Sequence, residues 1–323
     1  MEMVRIVLVG AAISAWAATG CAARRQPQPQ TPPPAPAICT MTTNVGALQP
    51  VEERALPASR WFSLLLYGYL PTGAFTRPAT DCAGRRTDWP ADRCSVWPAP
   101  ASPLPTQFVT AADLLVENLG GSRRLVWAIT ERFADGQAQG FVALTQFDGQ
   151  VVRAHTLGVL RAHTTRARLH LEKIGGGTLL VAEGDSCTSP QDQSTCLRTA
   201  RLVPVVGDRF IPVDLSDAAG KCVGSTLLLL KGRGTIGQGR GRRDFQFESA
   251  LTYSAEGVAV HEQLVVEEPA RDGSAGTFLR RVQGERRVHP QAGALLATAP
   301  SILDRWIGSQ KEGDQPPRTA VRQ

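Results

Sequence analysis

The 323-residue sequence lacks most of the short signatures that point to a particular chemistry. It contains no C-x-x-C pair, no G-x-S-x-G turn and no H-E-x-x-H motif. Their absence removes the simplest cases for a zinc site, a serine hydrolase and a zinc protease. Beyond the first 20 residues, no apolar run approaches the roughly 18 residues that a membrane-spanning helix needs. The sequence therefore predicts no catalytic residue, no metal site and no cofactor.

Aromatic residues are also few, at 6% of the chain, and this bears on the net charge of +6. Of the 35 basic residues 31 are arginine, and they are interspersed with acids such as Glu267, Glu268 and Asp272. Nucleic-acid surfaces instead interleave arginine with aromatic stacking platforms, so we expect no nucleic-acid partner. A basic loop that contacts lipid head groups or acidic glycans remains open, with four candidate residues: Arg233, Arg240, Arg242 and Arg243.

Residues 225–243 contain the spelling Gly232-x-Gly234-x-x-Gly237, which is typical of a dinucleotide-binding turn. That motif requires a strand before it and a helix after it, so that the helix amino terminus meets the pyrophosphate. Residues 244–253 instead alternate apolar and polar side chains with period 2, which predicts a strand. We therefore interpret the glycines as part of a hairpin between two antiparallel strands.

The amino terminus has the features of an export signal. An apolar run from Ile6 to Ala18 is too short to span a bilayer but suits a signal-peptide core. The segment that follows, Ala18-Thr19-Gly20-Cys21, resembles the lipobox of bacterial lipoproteins, although that family usually has leucine where Ala18 stands. The resemblance implies that residues 1–20 are removed and that Cys21 is acylated. An ordinary secretory signal cleaved near Ala23 is the alternative.

A proline- and glutamine-rich tether is predicted to follow at residues 21–37. It contains no large apolar side chain and favours an extended polyproline-type spacer. By resemblance to sorted lipoproteins, alanine at position 22 implies an outer-membrane protein that faces the periplasm or the cell surface. The predicted body spans residues 38–308, with an irregular cysteine-containing lead-in at 38–105 and a strand-rich core at 106–308. A disordered tail is predicted at 309–323.

Six cysteines remain once Cys21 is set aside, and an even number in an exported chain predicts three disulfides. Six cysteines allow 15 pairings, so the sequence cannot fix the connectivity. Close spacing favours two of the pairs and leaves the third as a long-range staple, giving Cys82–Cys94, Cys187–Cys196 and Cys39–Cys222.

The core reads as serial strands, so we predict an all-β fold. Apolar runs recur from residue 124 to 268 and are separated by turns such as Asp148-Gly149 and Gly207-Asp208. We expect an antiparallel meander that forms a sandwich or barrel, with a propeller-like arrangement as the alternative. Residues 61–70 are predicted as a strand and 111–119 as one short helix that begins at a Thr110–Asp113 capping box. Pro204 and Pro212 place their hairpin at a sheet edge.

These features favour a membrane-tethered envelope lipoprotein with a non-enzymatic role in binding or assembly. Its expected partners are the membrane, through the anchor, and envelope proteins, acidic glycans or lipid head groups. Two alternatives stay open at this point. One is a secreted hydrolase that acts on envelope polymers, and the other is a lipid or lipoprotein carrier with an apolar cavity inside a β-barrel.

Acylation of Cys21 is the first testable expectation. Mass spectrometry of the amino-terminal peptide of the mature protein should find Cys21 as the first residue, carrying acyl chains. In a Cys21→Ser variant the acyl mass should be absent and the protein should leave the membrane fraction. A mature chain that begins near Ala23, or that retains an unmodified Cys21, would contradict the resemblance.

Overall fold

The computed structural model of the protein describes the parts of the chain that carry its strands and helices. The described residues are 36–43, 56–90, 92–95, 102–104, 106–175, 177–187, 196–237, 242–268 and 276–313. The predicted signal peptide, almost all of the tether, and Arg240 lie outside them. By its backbone contacts, Pro36–Gln323 is one unit. Among the described residues, no helix has the length and apolar character needed to cross a membrane.

The lead-in and the start of the core contribute short elements and the first helix. The elements are β1 (Cys39–Thr42), α1 (Ala58–Leu65), β2 (Pro103–Leu104), a 3₁₀ turn (Ala111–Asp113) and β3 (Leu114–Asn118). The prediction of a strand over residues 61–70 is therefore wrong. Trp61, Phe62, Leu64 and Leu65 are all buried, and this i, i+1, i+3, i+4 spacing covers one face of a helix.

The helix predicted over residues 111–119 is also wrong, although its start signal is real. The backbone N–H of Thr110 donates to the Asp113 carboxylate at 2.9 Å, which completes a capping box around a single 3₁₀ turn. From Leu114 onward the chain is extended and pairs antiparallel with the strand that follows, with Val116 opposite Val126. Sheet pairing therefore overrides the local capping signal.

Three long antiparallel strands form the first sheet: β4 (Arg123–Phe133), β5 (Gln137–Phe147) and β6 (Val151–His163). The predicted Asp148 turn joins the last two, since the Asp148 side chain accepts a hydrogen bond from the N–H of Val151 at 2.7 Å. β1 pairs with β6, and both β2 and β3 pair with β4. One face of this sheet packs against α1 and the lead-in.

The middle sheet consists of β7 (Thr165–Ile174), β8 (Gly177–Asp185) and β9 (Arg198–Val206), again antiparallel. A two-residue strand, β10 (Arg209–Phe210), joins it to the first sheet. β10 lies antiparallel to β9 and parallel to β6. The two sheets are thus continuous in hydrogen bonding although their faces stack on each other.

The third sheet follows in the chain and ends in the second helix. Its elements are β11 (Leu215–Ser216), β12 (Cys222–Gly224), β13 (Leu227–Ile236), β14 (Arg243–Ser254), β15 (Gly257–Glu268), β16 (Thr277–Gln291), β17 (Ala294–Ala297) and α2 (Ile302–Gly313). β13 pairs with β9 and so connects this sheet to the middle one. α2 packs Trp306 edge-on against Phe245, with ring centroids 5.7 Å apart. The helix extends beyond the predicted start of the tail at residue 309.

Alternating side chains of β8 show how the layers are stacked. Leu180 and Ala182 pack into the apolar cluster shared with β4, β5 and β6. Leu179 and Val181 point the other way, into the cluster shared with β15, β16 and β17. The middle sheet is therefore buried on both faces. The predicted all-β class, a sandwich or barrel, is confirmed, and the strands are arranged in three stacked layers.

The prediction that Pro204 marks a sheet edge is wrong, and the hydrogen bonding explains how proline is accommodated. Pro204 lies in β9, opposite Leu179 of β8. On the other side of β9, pairing to β13 ends at Arg201 and pairing to β10 begins at Val205. The carbonyl of Pro204 faces this gap and accepts from the N–H of Ile211 at 3.0 Å. The missing N–H points into the same gap, where the ladder needs no donor.

All six predicted cysteines form disulfides, but two of the three predicted pairs are wrong. The observed pairs are Cys39–Cys82, Cys94–Cys222 and Cys187–Cys196. Spacing correctly selected the shortest loop. Spacing gave the wrong partners for Cys82 and Cys94, because the lead-in extends over the body. Each of these cysteines therefore lies beside a strand that is distant in sequence, β1 for Cys82 and β12 for Cys94.

One buried ion pair ties the lead-in to the middle sheet. Arg201 of β9 is fully buried and binds both carboxylate oxygens of Asp92, at 2.6 and 3.0 Å. Its remaining donors bond to Thr226 and to the carbonyl of Arg161. Burial alone would raise the pKa of Asp92, but the charge and hydrogen bonds of Arg201, with a further bond from Ser225, outweigh it and lower that pKa.

His163, at the end of β6, is buried between the first and middle sheets. Its Nδ1 lies 2.7 Å from Thr199 Oγ1. That hydroxyl also donates to the carbonyl of Gly184 at 3.2 Å. Burial lowers the pKa of His163 to about 4 because the charged imidazolium loses its hydration.

This lowered pKa predicts a specific acid sensitivity. In the unfolded chain His163 has a pKa near 6.5, so its contribution to stability is present above about pH 6.5 and is lost as the pH falls through 4. Between pH 7 and pH 4, the free energy of unfolding should fall by roughly 3 kcal/mol more in the wild type than in His163→Gln. Urea denaturation at a series of pH values measures this. His261→Gln, at an exposed histidine, is the control, and equal pH profiles for all three proteins would refute the assignment.

Candidate functional site

A polar groove opens where the middle and third sheets diverge. It has a volume of about 430 Å³ and is lined by β7, the end of β8, the start of β9, and parts of β13 and β14. We call it the intersheet groove. Its floor includes the backbone of Gly184 and Gly232 and the buried ring of Phe247. The Cys187–Cys196 disulfide borders it through Cys196, which fixes the start of β9 next to β8.

Cations dominate the walls of the groove. Five basic side chains line it, three from the middle sheet and two from β13: Arg166, Arg168, Arg198, Lys231 and Arg233. Three acidic side chains accompany them: Glu183, Asp185 and Glu248. The groove therefore carries a formal excess of two positive charges, from five basic and three acidic groups. A β-bulge interrupts β7 between Thr165 and Arg168, where Arg166 has a positive φ of 53°, and both arginines line the groove.

Each groove carboxylate has a cation of its own. Arg166 contacts Asp185 at 2.6 Å, and Arg198 contacts Glu183 at 2.8 Å. The third pair places Lys231 Nζ 3.0 Å from the carboxylate of Glu248. The hydrogen bond to Glu183 raises the pKa of Arg198 above its usual range. These three acids are thus engaged as counter-ions.

Arg168 and Arg233 are left without a carboxylate partner in the described part of the chain. Both side chains are exposed to solvent within the groove. Two guanidinium groups with free donors, on walls that already carry neutral ion pairs, form a site suited to an anion. The arrangement can bind carboxylate, sulfate or phosphate oxygens without any rearrangement of the existing pairs.

Three of the four arginines predicted as an anion-contact loop are described, and they lie in two places. Arg233 lies in the intersheet groove, while Arg242 and Arg243 lie at the end of the β13–β14 hairpin. There they approach carboxylates, Arg242 at 3.7 Å from Asp244 and Arg243 at 3.6 Å from Glu268. Arg240 lies outside the described residues. The structure therefore separates Arg233 from the others and joins it to Arg168, which sequence reasoning missed.

The glycine-rich stretch is a hairpin, as predicted, and its glycines serve close packing. β13 and β14 pair antiparallel, with Lys231 opposite Glu248 and Ile236 opposite Arg243, so no helix follows the turn. Gly234 lies within β13, and a Cβ there would approach the Phe245 ring to 2.8 Å. A Cβ at Gly232 would approach Leu197 to 2.7 Å. The spelling of a phosphate-binding turn thus reflects side chains of neighbouring strands that pack over the backbone.

A second group of polar side chains is buried under α2. Arg286 Nε donates to Glu262 at 2.9 Å, and the other oxygen of Glu262 accepts from the N–H of Ile302 at 2.8 Å. Burial raises the pKa of Asp304, in the first turn of the helix, to about 6. The adjoining cavity of about 20 Å³ has room for one water molecule. This group fixes the helix to the sheet and is too small to admit a ligand.

One cluster with metal-ligand chemistry is present among the described residues, namely Cys94, Cys222 and Asp214. Both sulfur atoms belong to the Cys94–Cys222 disulfide. A disulfide offers no thiolate, so these residues do not provide a zinc site in the oxidised protein. Burial raises the pKa of Asp214, with the nearby charge of Asp92 acting in the same direction.

Comparisons with known proteins add no relative. No protein-family model, no curated protein and no solved structure matches the chain.

Proposed function

We propose that the protein is a lipid-anchored envelope lipoprotein of the outer membrane whose β body binds acidic glycans in the intersheet groove. The observation that carries the proposal is the pair of exposed arginines, Arg168 and Arg233, which have no acidic partner among the described residues and lie in a groove of net positive charge. Anionic sugars present carboxylate or phosphate groups at intervals along a flexible polymer. A guanidinium binds either group through two parallel hydrogen bonds.

The shape of the site also favours a hydrophilic polymer. The groove is open and its walls are ion pairs, so a ligand can enter without crossing an apolar barrier. Ion pairs such as Arg198–Glu183 also present polar edges that bond to sugar hydroxyls. The anchor predicted at Cys21 would hold this site among the glycans of the envelope.

The two alternative functions receive less support. A retaining or inverting glycoside hydrolase needs two carboxyl groups free to act as acid and nucleophile or base. In the groove Glu183, Asp185 and Glu248 each hold a cation. A lipid carrier needs an apolar cavity, and in the described layers the middle sheet fills the interior with packed side chains such as Leu180 and Val181.

Binding of acidic glycans tests the proposal. The full chain is titrated with a carboxylated glycan (polygalacturonate), a phosphorylated mannan and neutral dextran at low ionic strength. One or both acidic glycans should bind, and raised salt should weaken the binding because the contacts are exposed charges. The double variant Arg168→Gln/Arg233→Gln should bind about tenfold more weakly, since it loses two charge-assisted hydrogen-bonding groups.

Arg123→Gln/Arg305→Gln is the matched control, because it removes the same net charge from exposed positions that do not line the groove. Its affinity should equal that of the wild type. The proposal fails if both double variants lose affinity equally, or if dextran binds as well as the acidic glycans. Comparison of the two acidic glycans distinguishes recognition of carboxylate groups from recognition of phosphate groups.

A further inference from the structure

Large apolar side chains are exposed on the surface formed by residues 56–110. Tyr67 is 63% exposed, Leu70 55% and Phe108 52%. Backbone hydrogen bonds bring the last two together, because Gly73 N–H donates to the carbonyl of Leu70 and the carbonyl of Gly73 accepts from the N–H of Val109, both at 2.9 Å. A single exposed apolar residue is ordinary, but neighbouring large ones mark a contact surface.

Arginines surround these apolar groups. Leu66 bridges to Asp81 and Thr80 bridges to Arg86, which places Tyr67 and Arg86 on either side of Thr80. Leu66 and Asp81 are buried, so Tyr67 and Arg86 stand on the opposite, exposed face. Arg77 lies over the ring of Phe75, with its guanidinium carbon 5.0 Å from the ring centroid.

The charge of this region is strongly one-sided. Residues 56–90 contain four exposed arginines: Arg60, Arg77, Arg85 and Arg86. In the same range Asp88 is the exposed carboxylate, while Asp81 is buried. The surface is therefore both apolar and cationic. We call Tyr67, Leu70, Phe108, Arg77 and Arg86 the anchor-side patch.

The patch lies next to the point where the amino-terminal segment joins the body. Pro36 is the first described residue, and Cys39 is bonded to Cys82 with the two Cα atoms 6.2 Å apart. Cys82 N–H donates in turn to the carbonyl of Leu65, two residues before Tyr67. Three residues of chain span at most about 10 Å. Pro36, where the described body begins, thus lies close to the disulfide that adjoins the chain segment of Tyr67.

From this placement we infer that the anchor-side patch lies on the phospholipid head-group region of the membrane that holds the anchor. The inference rests on the proposed acylation of Cys21. Tyrosine and phenylalanine place their rings at the boundary between head groups and acyl chains, and arginine pairs with lipid phosphates. Both parts of the patch therefore find partners in one surface.

With the predicted tether, even a small patch is sufficient to bind the membrane surface. At about 3.1 Å per residue, a polyproline tether of residues 22–35 would reach roughly 45 Å. Binding of the patch is then intramolecular, at an effective concentration in the millimolar range. A second copy of the chain is a poor occupant, since a two-fold interface would place Arg77 and Arg86 of each copy against those of the other.

Photo-cross-linking in membranes tests the inference. The acylated full chain is reconstituted into vesicles of phosphatidylethanolamine and phosphatidylglycerol, with benzoylphenylalanine in place of Phe108. Phe278, which is 58% exposed on β16, receives the same probe in a control protein. The probe at position 108 should form phospholipid adducts with a yield about tenfold above that at position 278, because the anchor concentrates the patch at the lipid surface.

Substitution of the patch arginines tests the charged side chains of the patch separately from its apolar side chains. In Arg77→Gln/Arg86→Gln, the adduct yield at position 108 should fall several-fold in vesicles that contain phosphatidylglycerol. Equal yields at positions 108 and 278 would overturn the inference, as would adducts of the position-108 probe with a second copy of the chain in place of lipid. The mass of the Cys21 peptide is read from the same samples. An acylated chain without lipid adducts refutes the patch alone, whereas an unacylated chain refutes the anchor.

Discussion

Burial of both faces of the β7–β8–β9 sheet constrains the rest of the structure. Each strand of a sheet covered on one side needs apolar residues at alternate positions, but a sheet covered on both sides needs them throughout. Residues 179–182 of β8 meet that requirement as Leu-Leu-Val-Ala, with all four side chains buried. The first and third sheets must then present apolar faces to this layer. Their other faces remain for α1, for α2 and for solvent.

Charged residues are tolerated in such a layer only at its margins or when fully paired. Arg201 illustrates the second case, because its guanidinium is satisfied by Asp92, Thr226 and a backbone carbonyl. Loss of Asp92 would leave a buried charge without a partner, which typically costs 3–5 kcal/mol. Arg168 illustrates the first case, because it lies on β7 at the edge of the layer. Among the described strands, β7 pairs with β8 alone. The intersheet groove forms at this margin, so the same constraint that fills the interior also leaves cations in a cleft.

The strand-rich half of the fold is predictable from the sequence, and the lead-in is not. Period-2 alternation and turn residues such as Asp148 locate the long strands because both signals are local. The predictions for residues 61–70 and 111–119 are wrong because an apolar cluster and a capping box are each compatible with helix or strand until the tertiary partner is known. The edge prediction for Pro204 is wrong for a related reason, since the gap beside it arises where pairing to β13 ends and pairing to β10 begins. The groove could not be predicted, because Arg168 and Arg233 line it from β7 and β13, whose placement depends on the non-local pairing of β9 with β13.

Hydrogen exchange of the intact protein tests the double burial of the middle sheet most directly. The backbone amides of Leu179–Ala182 should exchange only through global unfolding and should be the slowest in the chain. Those of residues 250–253 in β14, a strand with one exposed face, should exchange faster through local opening. Exchange of the β8 amides as fast as those of β14, with no dependence on global stability, would contradict the three-layer arrangement.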